Sequence, residues 1–155
     1  METAEYRVTR DAYEISTERS RIDIDAVERF LRDSYWAANR SRDRIERSLE
    51  TSLCFGLYRD SEMVGFARVV SDYTDFAWYC DVYIARDHRG RGLGKWLTEA
   101  VLAHPDLQGL RRWILATSSA HELYRQYGFT ELQSPEKWME RYAPPSPLGN
   151  VEAGR

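Results

Sequence analysis

Apolar and polar positions alternate in blocks whose period changes along the chain. Tyr6 to Ile15 mixes the two classes and predicts a first strand. Ile24, Val27, Phe30 and Leu31 recur at helical spacing, which predicts a helix over Ile24 to Leu31 with Asp23 or Asp25 as its cap. Ser41 to Ser52 holds only Ile45 and Leu49 as apolar positions and carries Arg42/Glu46 and Asp43/Arg47 four apart, the pattern of a short, mostly solvated helix. From Leu53 the period shortens. Leu53–Tyr58 and Met63–Val70 flank the turn residues Arg59-Asp60-Ser61-Glu62 and predict a hairpin, and Phe76–Ile84 predicts a further buried strand, the fourth of the series. Leu93, Leu97, Ala100 and Val101 share one face of a helix over Leu93–Ala103 that Pro105 closes. Trp113–Thr117 predicts a short central fifth strand, Ala120–Tyr127 a compact helix ended by Gly128, and Phe129–Leu132 and Lys137–Tyr142 two final strands. Residues 143–155, with three prolines and two glycines, predict a flexible tail, which leaves 1–142 as one domain.

Composition narrows the function classes. At 155 residues the chain is long enough to build a core without metals or disulfide staples. Basic residues number 22 against 25 acidic, a net charge of −3, so no global positive field exists for nucleic acid and none is expected as a partner. No apolar run approaches the ~18 residues of a membrane span, and the charged N-terminus lacks the apolar centre of a signal peptide, so a cytoplasmic protein with no membrane partner is expected. Cys54 and Cys80 each sit in an apolar run and read as buried free thiols. The histidines His88 and His104 read as solvated turns, and no metal site is expected.

The chemistry concentrates in Arg89-Gly90-Arg91-Gly92-Leu93-Gly94-Lys95, between a buried strand and an amphipathic helix. A helix start offers unpaired N–H groups and a partial positive charge, and glycines let an anion approach them closely. With Arg89, Arg91 and Lys95 alongside, the segment is suited to cradle a diphosphate. The dinucleotide fingerprint fails because Lys95 stands at its last glycine, and the nucleoside-triphosphate loop fails because Trp96 follows the lysine.

Arg89, Gly92 and Gly94 match (Arg/Gln)-x-x-Gly-x-(Gly/Ala), and Ala120 to Phe129 ends in Tyr-x-x-x-Gly-Phe, with Tyr124 as the tyrosine. In this order and spacing the chain resembles the GNAT superfamily of acetyl-CoA-dependent N-acetyltransferases. The resemblance implies an α+β fold of α/β/α layers. Its mixed, mostly antiparallel central sheet would have six to seven strands, splayed between strands 4 and 5, with about four flanking helices. It also implies an acetyl group passed from acetyl-CoA to a primary amine by direct attack, with CoA as product. The pyrophosphate would sit on Arg89, Gly90, Arg91, Gly92, Leu93, Gly94 and Lys95. The pantetheine arm would lie in the splay beside Val82, Tyr83 and Ile84, with the amide of Val82 or Ile84 stabilising the oxyanion. Thr117 stands where many members carry an asparagine that bonds the arm.

Tyr124 occupies the family position of the acid that protonates the departing thiolate. Asp81 is the carboxylate that would take the amine's proton, or else pair with an arginine. An acceptor pocket is expected from Tyr35, Trp36, Arg68, Asp72, Tyr73, Asp75 and Trp78, the two turn acids drawing a cationic amine and the aromatics stacking on it. The acceptor's identity stays open, with a small molecule favoured, and the chain would be a monomer or homodimer. A non-catalytic acyl-CoA-binding module on the same fold is the alternative.

Overall fold

A computed structural model describes residues 5–144. Positions 145–155 of the expected tail lie outside the described residues. Six strands, β1 (Arg7–Arg10), β2 (Tyr13–Ser16), β3 (Leu53–Arg59), β4 (Glu62–Ser71), β5 (Phe76–Ile84) and β6 (Arg112–Ile114), form one sheet in chain order. All neighbours are antiparallel except β5 and β6. Four helices flank them: α1 (Ile24–Arg32), α2 (Arg42–Glu50), α3 (Leu93–Ala103) and α4 (His121–Arg125).

The sheet separates two apolar layers. On one face Val27, Phe30 and Leu31 of α1 and Ile45 and Leu49 of α2 pack on Cys54, Phe66 and Tyr83. On the other, Leu93, Leu97 and Val101 of α3 and Tyr124 of α4 pack on Phe55, Ala67, Val69 and Tyr79. The α1 cap is Asp23, whose side chain accepts from the Ala26 amide, and Ser41 caps α2 in the same way. No helix among the described residues is long and apolar enough to cross a membrane.

Three expectations are corrected. The run from Tyr6 to Ile15 is a hairpin, because Asp11, a residue tolerant of left-handed backbone, takes a φ of 53° and folds Arg10 back onto Tyr13. The expected fourth and fifth strands are therefore β5 and β6. Neither Phe129–Leu132 nor Lys137–Tyr142 forms a strand. Pro135 opens a single helical turn between them, Met139 is 96% exposed, and Trp138 is held by Arg112 over its ring, 4.9 Å from the centroid, rather than by a ladder. His104 is not a solvated turn: it is 1% exposed, edge-on to Tyr6 and Phe55.

The splay appears where expected. Pairing of β5 with β6 covers Phe76–Trp78 against Arg112–Ile114 and stops there, so Tyr79 to Ile84 has no ladder partner on that side. On its other side β5 pairs with β4, but the register shifts between Phe66↔Tyr83 and Arg68↔Cys80. Asp81 and Val82 thus stand opposite a single residue, and Asp81 takes a φ of 53°.

Candidate active site

The turn between β5 and α3 is built to leave amides free. Gly90 and Gly92 have φ of 78° and 74°, and Gly92 caps α3 without a side chain. The Trp96 amide makes the first bond of the helix, to the Gly92 carbonyl, so the amides of Leu93, Gly94 and Lys95 have no acceptor within it. A Cβ built at Gly90 or Gly94 meets nothing within 4 Å, and one at Gly92 meets only Nη2 of Arg10, at 3.9 Å. Exposed Arg91 and Lys95 rim the hollow. Arg10, which no sequence motif marked, stands 4.9 Å over the Trp96 ring and completes the basic edge. The donor set suits a diphosphate. Arg89 does something else: its Nε donates to the Ile84 carbonyl at 2.8 Å and its guanidinium lies over Tyr83, which holds the turn closed.

Beyond the bulge the side chains of β5 divide between the faces. Tyr83 stacks on Phe30 and donates to Asp33, while Val82 and Ile84 pack towards α3. Arg86 grips the same Asp33 with Nε and Nη2, and these bonds lower the Asp33 pKa to about 2. The end of α1 is thereby clamped to the strand that leads into the turn.

Tyr124 projects from α4 and is 8% exposed, edge-on to Tyr79 and Phe129. Burial, with Tyr35 nearby, raises its pKa above the ordinary phenol value. Tyr35 reaches across from the loop after α1, and its hydroxyl accepts from the Ser118 amide at 3.2 Å. Thr117 uses its hydroxyl to accept from the Ala120 amide at 3.0 Å, so it caps the turn into α4. A cleft of about 1100 Å³ runs along the outer edge of β6, lined by Thr117, His121, Tyr124, Phe129 and Trp138 among others. It touches Tyr124 but none of the residues from Arg89 to Lys95.

On the opposite face, Asp81 gathers three groups from two elements, the loop after α1 and β4. Its Oδ1 accepts from Trp36 Nε1 at 3.0 Å, and its Oδ2 accepts from Arg40 Nη1 at 2.7 Å and Arg68 Nε at 2.8 Å. Burial raises the Asp81 pKa, but the two guanidiniums outweigh it and hold the carboxyl below its ordinary value. Asp81 is thus an arginine-paired carboxylate, the second of the two roles its sequence allowed. Arg40 was not legible, being 41 residues away in a polar loop.

Of the remaining acceptor candidates, Trp78 lies on this face as the neighbour of Val70. The structure does not bring Asp72, Tyr73 and Asp75 to it. Asp72 accepts the amides of Thr74, Asp75 and Phe76 and so builds the β4–β5 turn, and Tyr73 packs against the α3 side. Burial pushes the Cys54 thiol up to about 12 and the Cys80 thiol up to about 11, so both stay protonated at neutral pH.

Known proteins share this fold. The family model described as the acetyltransferase (GNAT) family matches residues 12–129. A crystal structure of a GNAT-family protein from Xanthomonas campestris pv. campestris is 48% identical, covers 88% of this chain and 96% of its own, and superposes with a TM-score of 0.84. A Gibberella zeae protein classed with the acetyltransferases is 31% identical over 139 residues, 75% of this chain and 77% of its own. The glucosamine-6-phosphate N-acetyltransferase of Arabidopsis thaliana, at 15% identity, shares the fold over 85% of this chain and 99% of its own, with a TM-score of 0.61. The amide-lined turn, the splayed strands and these matches together make the chain a member of the acetyltransferase (GNAT) family.

Proposed function

We propose that the chain transfers an acetyl group from acetyl-CoA to the amine of a small molecule by direct attack. The observation that carries this reading is the hollow of unpaired amides and basic side chains at the start of α3, open to solvent at Gly90 and Gly94. Acetyl-CoA, when bound, supplies the acetyl group as an activated thioester. The amides of Gly92 to Lys95, with Arg91 and Lys95, hold its phosphates. The unpaired side of Val82 to Ile84 takes the arm, and the amide of Val82 or Ile84 donates to the acyl oxygen. We place the phosphates here and not in the larger cleft along β6, because none of the residues from Arg89 to Lys95 lines that cleft.

Tyr124 keeps its proton on Oη at neutral pH, since burial raises its pKa, and so can give it to the departing sulfur. Asp81 is a poor base here: both its oxygens accept hydrogen bonds and its pKa is lowered. It positions Trp36, Arg40 and Arg68, and the amine's proton leaves to solvent. The protonated state of both thiols supports direct transfer over an acyl-cysteine.

The test is thiol release from acetyl-CoA across an amine panel. Tyr124→Phe should lower kcat by about ten- to a hundredfold with KM for acetyl-CoA within about twofold. Full turnover in that variant removes Tyr124 from the mechanism.

A further inference from the structure

The charge around Asp81 does not balance. One carboxylate faces two guanidiniums, and its oxygens are already taken by Trp36, Arg40 and Arg68. Arg68 gives Nε to Asp81 and Nη1 to Ser52 at 3.0 Å. Arg40 gives Nη1 to Asp81, and its Nε and Nη2 make no hydrogen bond to a described residue. That pair of nitrogens is the same edge with which Arg86 grips both oxygens of Asp33 in this chain. A surplus positive charge on two partly buried side chains, with a two-pronged donor edge still open, is matched by a planar oxyanion.

The surroundings describe the rest of the ligand. Arg68 pairs across the strands with Cys80, and Val70 with Trp78. Alternation puts these four side chains on the face shared with the loop that carries Trp36 and Arg40. Val70 is 40% exposed and Trp36 41%, and Trp78 is half-buried. An apolar floor and an indole wall thus adjoin the cationic pair. Asp72, the nearest turn carboxylate in sequence, keeps its charge but turns Oδ1 to the backbone amides of its own turn, and among the described residues it pairs with neither arginine.

We infer that the acceptor is an amine bearing a carboxylate, gripped by Arg40 and Arg68, with an apolar or aromatic body resting on Val70, Trp78 and Trp36. This rests on the acetyl-CoA-dependent reading above. It departs from the expectation that the turn acids Asp72 and Asp75 draw a cationic amine, because the surplus positive charge on this face disfavours an amine that carries no acid group.

Matched pairs of apolar and aromatic amino acids and their methyl esters test it, with spermidine and a phosphorylated primary amine alongside. Three quantities are read: heat of CoA binding, thiol release from acetyl-CoA, and binding of the N-acetylated acids and esters to the CoA-loaded protein. The free acids should exceed their esters by about tenfold or more in kcat/KM and in product affinity. Esters have the more reactive amine, so an acid preference reports recognition. Arg40→Gln, which leaves a one-to-one Asp81–Arg68 pair, should abolish the preference mainly through KM, with CoA affinity and melting temperature retained, and Arg40→Lys should restore part of it. CoA binding with equal use of esters, with spermidine or the phosphorylated amine preferred, or with no acid–ester difference in either turnover or binding, overturns the inference. So does an acid preference that survives in Arg40→Gln. Failure to bind CoA at all is a separate result, which removes the underlying reading and this inference with it.

Discussion

Single side chains here divide into those that answer a local need and those that meet partners far along the chain. The glycines of the turn and Tyr124 belong to short motifs and were legible as such. Asp81 was legible as a strand carboxylate, but its meaning lies in Trp36 and Arg40, 45 and 41 residues away, which no local pattern records. His104 is a similar case. Its place before Pro105 suggested a surface turn, yet the ring is buried between Tyr6 and Phe55. Its Nδ1 accepts from the Asp106 amide, and its Nε2 has no hydrogen-bond partner among the described residues. Burial lowers the His104 pKa below its ordinary 6.5. The unfolded chain therefore takes up the proton first as pH falls. Stability is full above the unfolded pKa and is lost on going from about pH 6.5 towards the lower folded value, by at most about 1.4 kcal/mol per pH unit. Urea unfolding at pH 7.5 and 5.5 should show this loss in the wild type and a smaller one in His104→Asn, which keeps a cap acceptor without the titration. An equal loss in both assigns the effect to other groups.

Helices were easier to read than strand ends. The apolar spacing located α1, α2 and α3 to within a few residues, because amphipathic helices carry their packing face in their own sequence. Asp23 was one of two possible caps for α1, and the structure selects it. Asp23→Ala should lower stability by about 1 kcal/mol, measured by urea unfolding, while Asp25→Ala, which leaves the cap intact, should change it by less. Equal effects would place the cap's contribution elsewhere. Strands depend on partners. The β1–β2 hairpin was hidden because its two halves are short and mixed, and the turn rests on the left-handed tolerance of Asp11. The two final strands failed for the opposite reason. Their residues have strand-like composition, but no neighbour among the described residues supplies a ladder, and Leu132, Trp138 and Tyr142 stay exposed.

At the scale of the whole molecule, the site follows from topology. A single parallel neighbour, β6, joins an otherwise antiparallel sheet and pairs over only three positions of β5. Past that point β5 has no ladder partner on the β6 side, and its register with β4 shifts at the bulge around Asp81. The turn into α3 then lies beyond the end of the same strand. The order of elements made the layered fold legible, and the glycine pattern located the turn. Neither recorded where pairing stops, since that depends on three-dimensional divergence. The proposed acceptor face was legible in part: Trp36, Arg68 and Trp78 were candidates in the sequence, whereas Arg40 joins them only through the packing of the loop after α1 on the bulge at Asp81.

The central claim is that the start of α3 receives the phosphates of coenzyme A. Gly92 is a poor probe, because its φ of 74° strains any side chain irrespective of ligand. Gly94 has no positive φ, and a Cβ there meets nothing within 4 Å, so a side chain fits the protein alone and obstructs only what would occupy the hollow. Calorimetric titration of CoA into the wild type and Gly94→Val, with melting temperatures measured in parallel, is the most direct measurement. The wild type should bind CoA, and the variant, equally well folded, should bind at least about tenfold more weakly. A folded wild type that takes up no CoA, or a variant with undiminished affinity, would contradict the account.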